Sequence, residues 1–417
     1  MLPLRALVLA TLVVAARSDL ELKMLHVLFR HGDKVPHREY QNYPNDPHRH
    51  HSYYPIDNGG LTNEGMLREY KIGKVLRERY DEYFGPVYQP SMIYARSTEI
   101  PRTQMSLQLL LAGLFPPSGP QIWNPNLPWI PTSTFAVPFK EDNLLFPHYC
   151  PRYLDEYKRY LKESDTREII SRHRDTMDYL AEHTGKRIET TSAVYYLYNL
   201  LKEEAAQNLT LPEWTRRVYP NPMKEITELD FHLRSFTTAL RRLNGGMLLR
   251  KMTEDMSDVR TESVKPAERK AFIFAAHEVN VAALARTLGT NEPALPPYGS
   301  TIILETLRDK IGRYYVRVLL WTGVTERLIT QKIPGCTELC PMDEFLEITK
   351  EVIPSDAEYN CIADETSNDG RSRTSYRGPS SSSSAGPTSA RTHHYSQLSF
   401  AAALIHAITL YLRSIHS

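Results

Sequence analysis

Three short apolar runs, each long enough for a buried strand, end abruptly at polar residues. The runs span Met24–Phe29, Ser91–Ala95 and Ala271–Ala276. Because the ligand site of an open α/β sheet lies beyond the carboxyl ends of its strands, we expect the polar side chains after the runs to share one crevice. These side chains are Arg30 and His31 after the first run, Arg96 after the second, and His277 and Glu278 after the third.

Helical patterns follow the third run and fill the middle of the chain. Val279–Leu288 has helical composition and spacing. Residues 140–250 contain no clear strand run, and within them Arg167–His183 and Ser192–Gln207 are predicted to be helical. The middle of the chain is therefore expected to be mainly helical.

Composition narrows the class of protein. The 417 residues carry 50 Lys and Arg against 49 Asp and Glu, so the formal net charge is +1. This balance gives no basic surplus to attract nucleic acid, and we expect no nucleic-acid partner. Hydrophobic residues make up 41% of the chain, which excludes wholesale disorder and predicts a globular protein with a large core.

The amino-terminal residues have the layout of a secretory signal peptide. Arg5 precedes the apolar run Ala6–Ala15, and small residues allow cleavage after Ala16 or Ser18. A membrane anchor is the alternative, but the run is short for spanning a bilayer. We assign residues 1–18 to a signal peptide and expect the protein to enter the secretory pathway.

The carboxyl-terminal residues change composition twice. Residues 366–397 are rich in Ser, Pro and Thr and are predicted to be a disordered linker, and residues 398–417 form an apolar tail. Small residues at Ser384–Gly386, a polar spacer and this tail fit a signal for a glycolipid anchor. A marginal transmembrane anchor and an amphipathic or disordered tail stay open, so the protein is either secreted or attached to a cell-surface or lysosomal membrane.

Four cysteines and one glycosylation sequon matter once the chain is exported. In an oxidising compartment the even count permits two disulfides, with Cys336 and Cys340 close enough for a local bridge and Cys150 and Cys361 left to close a long loop. Half a zinc site is the alternative, but it lacks a second close pair or a nearby histidine. The sequon begins at Asn208.

The residues after the apolar runs suit phosphoryl transfer. Guanidinium groups match the geometry of a phosphate and offset its charge. A neutral His31 has a nitrogen that can attack phosphorus, and a carboxylic acid at Glu278 can protonate the departing alkoxide. Together they form a phosphatase site that needs no metal and no cofactor.

Each residue also has a simpler interpretation. Arg30 and His31 can belong to a solvated loop, and Arg96 can pair with Glu99 at the surface. His277 and Glu278 can cap the helix that follows them. Order and context along the chain favour the functional interpretation of the whole set.

Residues 21–361 resemble the histidine acid phosphatases, a branch of the histidine phosphatase superfamily that includes prostatic, lysosomal and insect venom acid phosphatases. The family signature Arg-His-Gly-x-Arg-x-Pro stands here as Arg30-His31-Gly32-Asp33-Lys34-Val35-Pro36. Further matches, in the family's order, are Leu61-Thr62-x-x-Gly65, Arg96-Ser97-Thr98, Arg102-Thr103, Leu114-Phe115-Pro116-Pro117, Trp123-Asn124-Pro125, Leu295-Pro296-Pro297-Tyr298 and Pro334-Gly335-Cys336 to Cys340-Pro341.

The resemblance implies a fold and a set of domains. The fold is an α/β three-layer sandwich with a mixed central sheet, similar to phosphoglycerate mutase, and a smaller inserted helical domain. Residues 19–139 and 251–365 then form the α/β phosphatase domain, and residues 140–250 form a mainly helical cap over the active site. The disulfides Cys150–Cys361 and Cys336–Cys340 also resemble family disulfides, and the family suggests a homodimer.

The resemblance also implies roles for residues. His31 is expected to be the nucleophile that forms a phosphohistidine, and Glu278 the proton donor, at a position where most members have aspartate. Arg30, Lys34, Arg96 and His277 are expected to bind the phosphate. Lys34 replaces the second arginine of the signature and keeps its charge without its bidentate fork.

The leading hypothesis is an acid phosphatase that hydrolyses phosphomonoesters to alcohol and phosphate through a phosphohistidine. An alternative on the same fold is a phosphate-binding or surface protein with impaired catalysis, motivated by Lys34. A phytase-like or lipid-phosphate substrate is a further alternative within the enzyme class.

Overall fold

The computed structural model describes residues 20–323 and 327–361. The predicted signal peptide at residues 1–18, linker at 366–397 and apolar tail at 398–417 lie outside the described residues. Within those residues, no helix combines the length and the apolar character needed to cross a bilayer.

The strands of the described residues form one mixed sheet. They are β1 Glu21–Arg30, β2 Ile93–Thr98, β3 Phe135–Val137, β4 Ala271–Ala276, β5 Thr301–Arg308, β6 Tyr314–Trp321, β7 Ile329–Gln331 and β8 Cys340–Pro341. Their order in the sheet is β3-β2-β4-β1-β5-β6-β7, with β8 paired to β6. β1 and β2 both run parallel to β4, whereas β5 runs antiparallel to β1 and β6 antiparallel to β5.

The helices cover both faces of the sheet and fill the middle of the chain. The α-helices are α1 Asn63–Phe84, α2 Pro101–Leu114, α3 Pro151–Leu161, α4 Ser164–Ser171, α5 Arg174–Thr184, α6 Thr191–Ala206, α7 Met223–Leu233, α8 Thr238–Leu243, α9 Gly245–Arg260, α10 Glu278–Thr287, α11 Met342–Thr349 and α12 Asp356–Tyr359. Short 3₁₀ turns lie at Pro90–Met92, Gly119–Gln121, Pro147–Tyr149, Glu213–Arg217 and Lys350–Val352.

Two apolar clusters pack on opposite faces of the sheet and define three layers. One joins α1 and α2 to alternate residues of β1 and β4, including Leu25 and Ile273, and the other joins α9, α10 and α11 to the intervening residues, including Leu28 and Phe274. This alternation is the period-two pattern of strands buried on both sides. The predicted three-layer α/β sandwich with a mixed sheet is confirmed.

The helices α3–α8, inserted between β3 and α9, have apolar clusters of their own. One cluster unites α5, α6 and α7 around Leu180, Leu200 and Ile226, all fully buried. Helix α9 crosses residue 250, and its Leu249 packs in the cluster beneath the sheet. The helix predicted over Arg167–His183 is wrong in one respect, because α4 ends at Ser171 and α5 begins at Arg174.

Both cysteine pairs form disulfides. Cys150 is joined to Cys361 and Cys336 to Cys340, each with a Cα–Cα distance of 5.6 Å. The first bridge fixes the end of the described chain beside the start of α3. Asn208, which begins the sequon, is exposed just after α6.

Candidate active site

The strand ends predicted to converge do so. β4 lies between β1 and β2 and is parallel to both, so the carboxyl ends of the three strands meet at one edge of the sheet. A cavity of about 570 Å³ lies there, between this edge and the inserted helices. From the sheet side it is lined by His31, Lys34, Arg102, His277 and Glu278, and from the insert by Tyr195, Tyr196, Asn199, Glu203 and Arg234.

A close backbone contact shapes the loop that follows β1. A Cβ atom on Gly32 would lie 2.4 Å from the carbonyl oxygen of Gly65, and one on Gly65 would lie 2.2 Å from the carbonyl oxygen of Asp33. Thr62 caps α1 by accepting a hydrogen bond from the Gly65 amide, at 3.1 Å. Both glycines therefore allow the start of α1 to pack directly on the loop that holds His31.

His31 is buried at the floor of the cavity, and its two ring nitrogens have different partners. Its Nδ1 lies 2.9 Å from the carbonyl oxygen of Gly32, which accepts a hydrogen bond only if Nδ1 carries the proton. Nε2 then has a free lone pair, which accepts a hydrogen bond from Nε of Arg102 at 3.0 Å. Burial, together with the positive charges of Arg102 and Arg30, holds the pKa of His31 well below its usual value. His31 is therefore neutral and nucleophilic even in mild acid.

His277 stands beside His31, with ring centroids 5.4 Å apart. It is the residue that precedes α10, and its Nε2 lies 3.1 Å from Oγ1 of Thr98 at the end of β2. Burial and the charge of Arg102 hold the pKa of His277 well below its usual value. It therefore caps a helix, as the simpler interpretation predicted, and also lines the cavity.

Glu278 begins α10, and its carboxylate is held from two directions. One oxygen, Oε2, lies 2.9 Å from Nη2 of Arg30. The other, Oε1, accepts hydrogen bonds from the Tyr195 hydroxyl at 2.6 Å and from Nδ2 of Asn199 at 3.3 Å. Burial alone would raise the pKa of Glu278, but Arg30 and Tyr195 outweigh it and lower the pKa to about 2. The carboxyl is ionised in the unliganded site.

Arg30 lies behind Glu278. Besides the ion pair, its Nη1 donates a hydrogen bond to the carbonyl oxygen of Pro296 at 2.7 Å, and its guanidinium carbon lies 3.9 Å from the ring centre of Tyr298. This stacking on an aromatic face and the carbonyl contact fix the guanidinium next to Glu278, and Arg30 itself is absent from the cavity lining.

Lys34 lines the cavity, but its ammonium group is occupied. Nζ donates hydrogen bonds to Oε2 of Glu203 at 2.8 Å, to Oε1 of Gln41 at 2.8 Å and to the carbonyl oxygen of Val35 at 3.3 Å. The second oxygen of Glu203 accepts a hydrogen bond from Tyr298 at 3.0 Å. Burial lowers the pKa of Lys34 to about 8, although Glu203 opposes this. In this arrangement Lys34 ties the loop after β1 to helix α6 at the wall of the cavity.

Arg96, expected at the phosphate site, lies elsewhere. β2 continues through Thr98, so Arg96 is two residues, or about 7 Å, short of the strand end. Its Nη2 pairs with Asp142 at 2.5 Å, and the residue is absent from the cavity lining. The surface pair with Glu99 is also not formed, because Arg96 is 9% exposed and faces Asp142.

The arginine that the structure places beside His31 is Arg102, in the first turn of α2. The family motifs in the sequence include Arg102 but imply no role for it. Pro101 at the first helical position marks where α2 begins, just beyond the carboxyl end of β2. A helix that starts beside a strand end aims its first side chains at the same edge of the sheet, and this signal identifies Arg102.

Comparison with known proteins agrees with the fold and the motifs. Residues 21–321 match the histidine phosphatase superfamily (branch 2). The venom acid phosphatase of Apis mellifera is 37% identical over 365 residues, which cover 87% of this chain and 94% of that protein. The lysosomal acid phosphatase of Homo sapiens is 33% identical over 348 residues, which cover 82% of this chain and 80% of that protein.

A solved structure has the same fold. The phytase of Hafnia alvei in complex with tartrate superposes with a TM-score of 0.62 at 17% identity, covering 83% of this chain and 99% of that one. On the family match, the two relatives and this fold, the chain belongs to branch 2 of the histidine phosphatase superfamily.

Proposed function

We propose that the protein is an acid phosphatase that hydrolyses phosphomonoesters to an alcohol and phosphate through a phosphohistidine at His31. The observation that carries the proposal is the state of His31: a buried, neutral imidazole whose Nε2 lone pair meets the guanidinium of Arg102 at the floor of a cavity. The family and the names of both relatives support the same activity.

In the first step Nε2 of His31 attacks phosphorus. The N–P bond forms as the ester P–O bond breaks, and the departing oxygen takes a proton from the carboxyl of Glu278. Arg102 in the cavity wall and Arg30, which turns from Glu278 toward the bound ester, offset the charge on the oxygens of the transferred group, and the neutral His277 lies beside it. When the ester binds, Arg102 exchanges its hydrogen bond to Nε2 of His31 for one to a phosphate oxygen, which frees the Nε2 lone pair to attack.

In the second step water attacks the phosphohistidine. The P–N bond breaks, phosphate is released, and the carboxylate of Glu278 accepts the proton that the water gives up. Glu278 is then protonated, as it was at the start of the first step, so one proton cycles through it in each turnover and the carboxyl ionises again once phosphate has left.

Glu278 must gain a proton before the first step, although it is ionised in the unliganded site. A bound phosphate ester draws Arg30 toward its oxygens, which removes a cation from Glu278 and brings an anion close to it. Both changes raise the pKa of Glu278. Activity is therefore expected to be highest in acid, where solvent supplies the proton readily.

The domain assignment is part of this proposal. The mainly helical residues 140–250, apart from the start of α9, which packs against the sheet, act as a cap on the α/β domain of residues 19–139 and 251–365, since Tyr195, Asn199 and Arg234 reach the cavity from the cap. The alternative of a binding protein with impaired catalysis rested on Lys34, and the structure favours a structural role for that residue, in a pair with Glu203.

The experiment that tests the activity is phosphate release from phenyl phosphate near pH 5. We expect turnover by the wild-type protein and none by His31→Ala, because no other imidazole occupies the same position. Arg96→Lys is a matched control, since this residue lies outside the cavity. Turnover by His31→Ala at the wild-type rate would overturn the proposal.

We also propose how the protein is exported, glycosylated, assembled and attached to a membrane. The disulfides and the relatives fit the secretory pathway, and we expect cleavage near residue 18 and a glycan on the exposed Asn208. Ile122 and Trp123, which are 52% and 56% exposed, suit a homodimer contact. Light scattering tests the dimer, and release by a phosphoinositide-cleaving phospholipase tests attachment through residues 398–417.

A further inference from the structure

Two side chains of the inserted helix α6 reach the carboxylate of Glu278. Tyr195 donates a hydrogen bond to Oε1 at 2.6 Å and Asn199 donates to the same oxygen at 3.3 Å. Because they are four residues apart on one helix, their side chains project from the same face. The proposed proton donor is thus held by the sheet domain through Arg30 and by the insert through Tyr195.

Tyr195 is held in place by its surroundings. Its ring lies edge-on to Phe231 of α7, with centroids 5.4 Å apart, and against Tyr196 at 5.0 Å. Helices α6 and α7 share an apolar cluster, and Thr190 caps the start of α6 by accepting a hydrogen bond from the Ala193 amide at 3.1 Å. A rigid helix and a packed ring aim the hydroxyl at one carboxylate oxygen.

The charged and titratable groups around Glu278 come from every element that packs against it. Arg30 of β1 and His277 act on the carboxyl directly, and Lys34 and Lys202 add positive charge from the loop after β1 and from α6. Tyr40, Tyr196 and Tyr298 also face it, and their pKa values are raised, first by burial, so they stay neutral. Arg234 lies beyond Tyr195, 5.9 Å from the centre of its ring.

A bound phosphate ester changes this balance on one side of Glu278. In the proposed reaction Arg30 turns toward the phosphate, whereas Tyr195 and Asn199 lie on α6 and make no contact with the phosphorus of the substrate. Tyr195 and Asn199 therefore remain on Glu278 while the ester is bound, and the Tyr195 hydroxyl, at 2.6 Å against 3.3 Å, is the closer donor.

We propose that Tyr195 is a positioning residue that orients Glu278 in the enzyme–substrate complex and sets the pH at which this acid takes up its proton. This inference rests on the proposed function, because it concerns the same acid in the same reaction. A donor on the carboxylate stabilises its ionised form, so Tyr195 keeps Glu278 a strong acid. The insert then contributes to the chemistry itself and not only to the shape of the cavity.

The consequence has a definite sign. Tyr195→Phe removes the hydroxyl and keeps the ring, so the ionised form of Glu278 loses one donor and its pKa rises. The first step needs the protonated acid, and its rate falls as pH rises through that pKa. The alkaline limb of this rate is therefore expected to move to higher pH, by about one to two units for a hydrogen bond to a charged group.

The experiment measures alcohol release in a single turnover at saturating enzyme. The pH runs from about 3 to about 9, which brackets the ordinary pKa of a glutamate, about 4.3, together with the expected shift. Phenyl phosphate is the substrate, since its leaving group must be protonated as it departs. 4-Nitrophenyl phosphate is the comparison, because its leaving group is a weaker base and depends less on protonation. Tyr198→Phe is the matched control, because Tyr198 lies on the same helix but packs against Tyr219 outside the cavity.

We expect Tyr195→Phe to shift the alkaline limb with phenyl phosphate and to shift it less with 4-nitrophenyl phosphate. Adding Tyr195→Phe to Glu278→Gln is expected to cause no shift, because glutamine does not titrate. An unshifted limb, equal to that of Tyr198→Phe, would overturn the inference while the wild-type activity still supports the proposed function. Failure of the wild-type protein to release phenol would overturn the proposed function itself. Circular dichroism of each variant shows whether it has folded.

Discussion

Replacing Lys34 by methionine tests whether this residue binds substrate or holds the fold together. Lys34 and Glu203 are 6% and 1% exposed, and Nζ and Oε2 are 2.8 Å apart. Methionine keeps the length and apolar body of the side chain but leaves the Glu203 carboxylate buried, with Tyr298 as its remaining donor. Breaking a buried ion pair by removing one partner costs about 3–5 kcal/mol.

The expected result is a fall of ~3–5 kcal/mol in the free energy of unfolding, measured by urea titration at pH 7 with both disulfides intact. Adding Glu203→Gln to Lys34→Met removes the unpaired charge, while Tyr298 can still donate to the amide oxygen. The double variant is therefore expected to recover most of the loss. Tyrosine and tryptophan fluorescence follows the transition.

The same variants separate the two roles of Lys34 kinetically. If Lys34 is a structural tie, the double variant regains stability and keeps a KM for phenyl phosphate close to the wild-type value. A loss of less than about 1 kcal/mol in Lys34→Met, the range of an exposed ion pair, together with a large rise in KM, would refute this reasoning. Lys34 would then be a phosphate ligand, as the signature implies.

Three further changes test other parts of the account. Arg102→Lys removes the Nε donor to His31, so kcat/KM measured by steady-state kinetics should fall by about 10- to 100-fold, the range for one charged hydrogen bond. The kcat/KM of Arg96→Lys should stay near the wild-type value, and equal losses in the two variants would contradict the placement of these arginines. Gly65→Ala places a Cβ 2.2 Å from the Asp33 carbonyl oxygen, so thermal unfolding should occur at a lower temperature and kcat should fall, and unchanged values would show that this contact is not tight. Burial and Asp46 raise the pKa of Glu204 to about 7 from 4.5, so its proton is lost more readily on unfolding, and this residue destabilises the fold as pH rises from 4.5 to 7. Glu204→Gln also removes the ion pair with Arg38, so the expected result is a stability relative to wild type that is higher at pH 8 than at pH 4, and the same difference at both pH values would contradict this.

The sequence predicted where the site lies because strand ends are visible in an apolar pattern. The apolar runs before Arg30 and His277 correspond to β1 and β4, and each run ends within one residue of the carboxyl end of its strand. Because these strands pair in parallel, the polar residues that follow them lie at one edge of the sheet. The motifs then extended the prediction to the three-layer fold. Local signals were enough here because each strand is short, buried and followed at once by polar residues.

The partners of the site residues could not be predicted in the same way. The prediction for Arg96 is wrong because a polar side chain does not always end a strand: β2 continues to Thr98 and buries Arg96 against Asp142. The pair of Lys34 with Glu203 joins residues that are 169 positions apart in the sequence, and that of Tyr195 with Glu278 joins residues that are 83 apart. Such contacts depend on how the insert lies over the sheet, which no local pattern records.

The most direct test of the central claim is to trap the phosphorylated enzyme. The wild-type protein is mixed with phenyl phosphate near pH 5, quenched in alkali within one turnover to preserve a phosphohistidine, digested and analysed by mass spectrometry. We expect one phosphoryl group, on the peptide that contains His31, stable in alkali and lost in acid, and none in His31→Ala. A phosphoryl group on another residue, or steady turnover with no phosphorylated intermediate, would contradict the central claim.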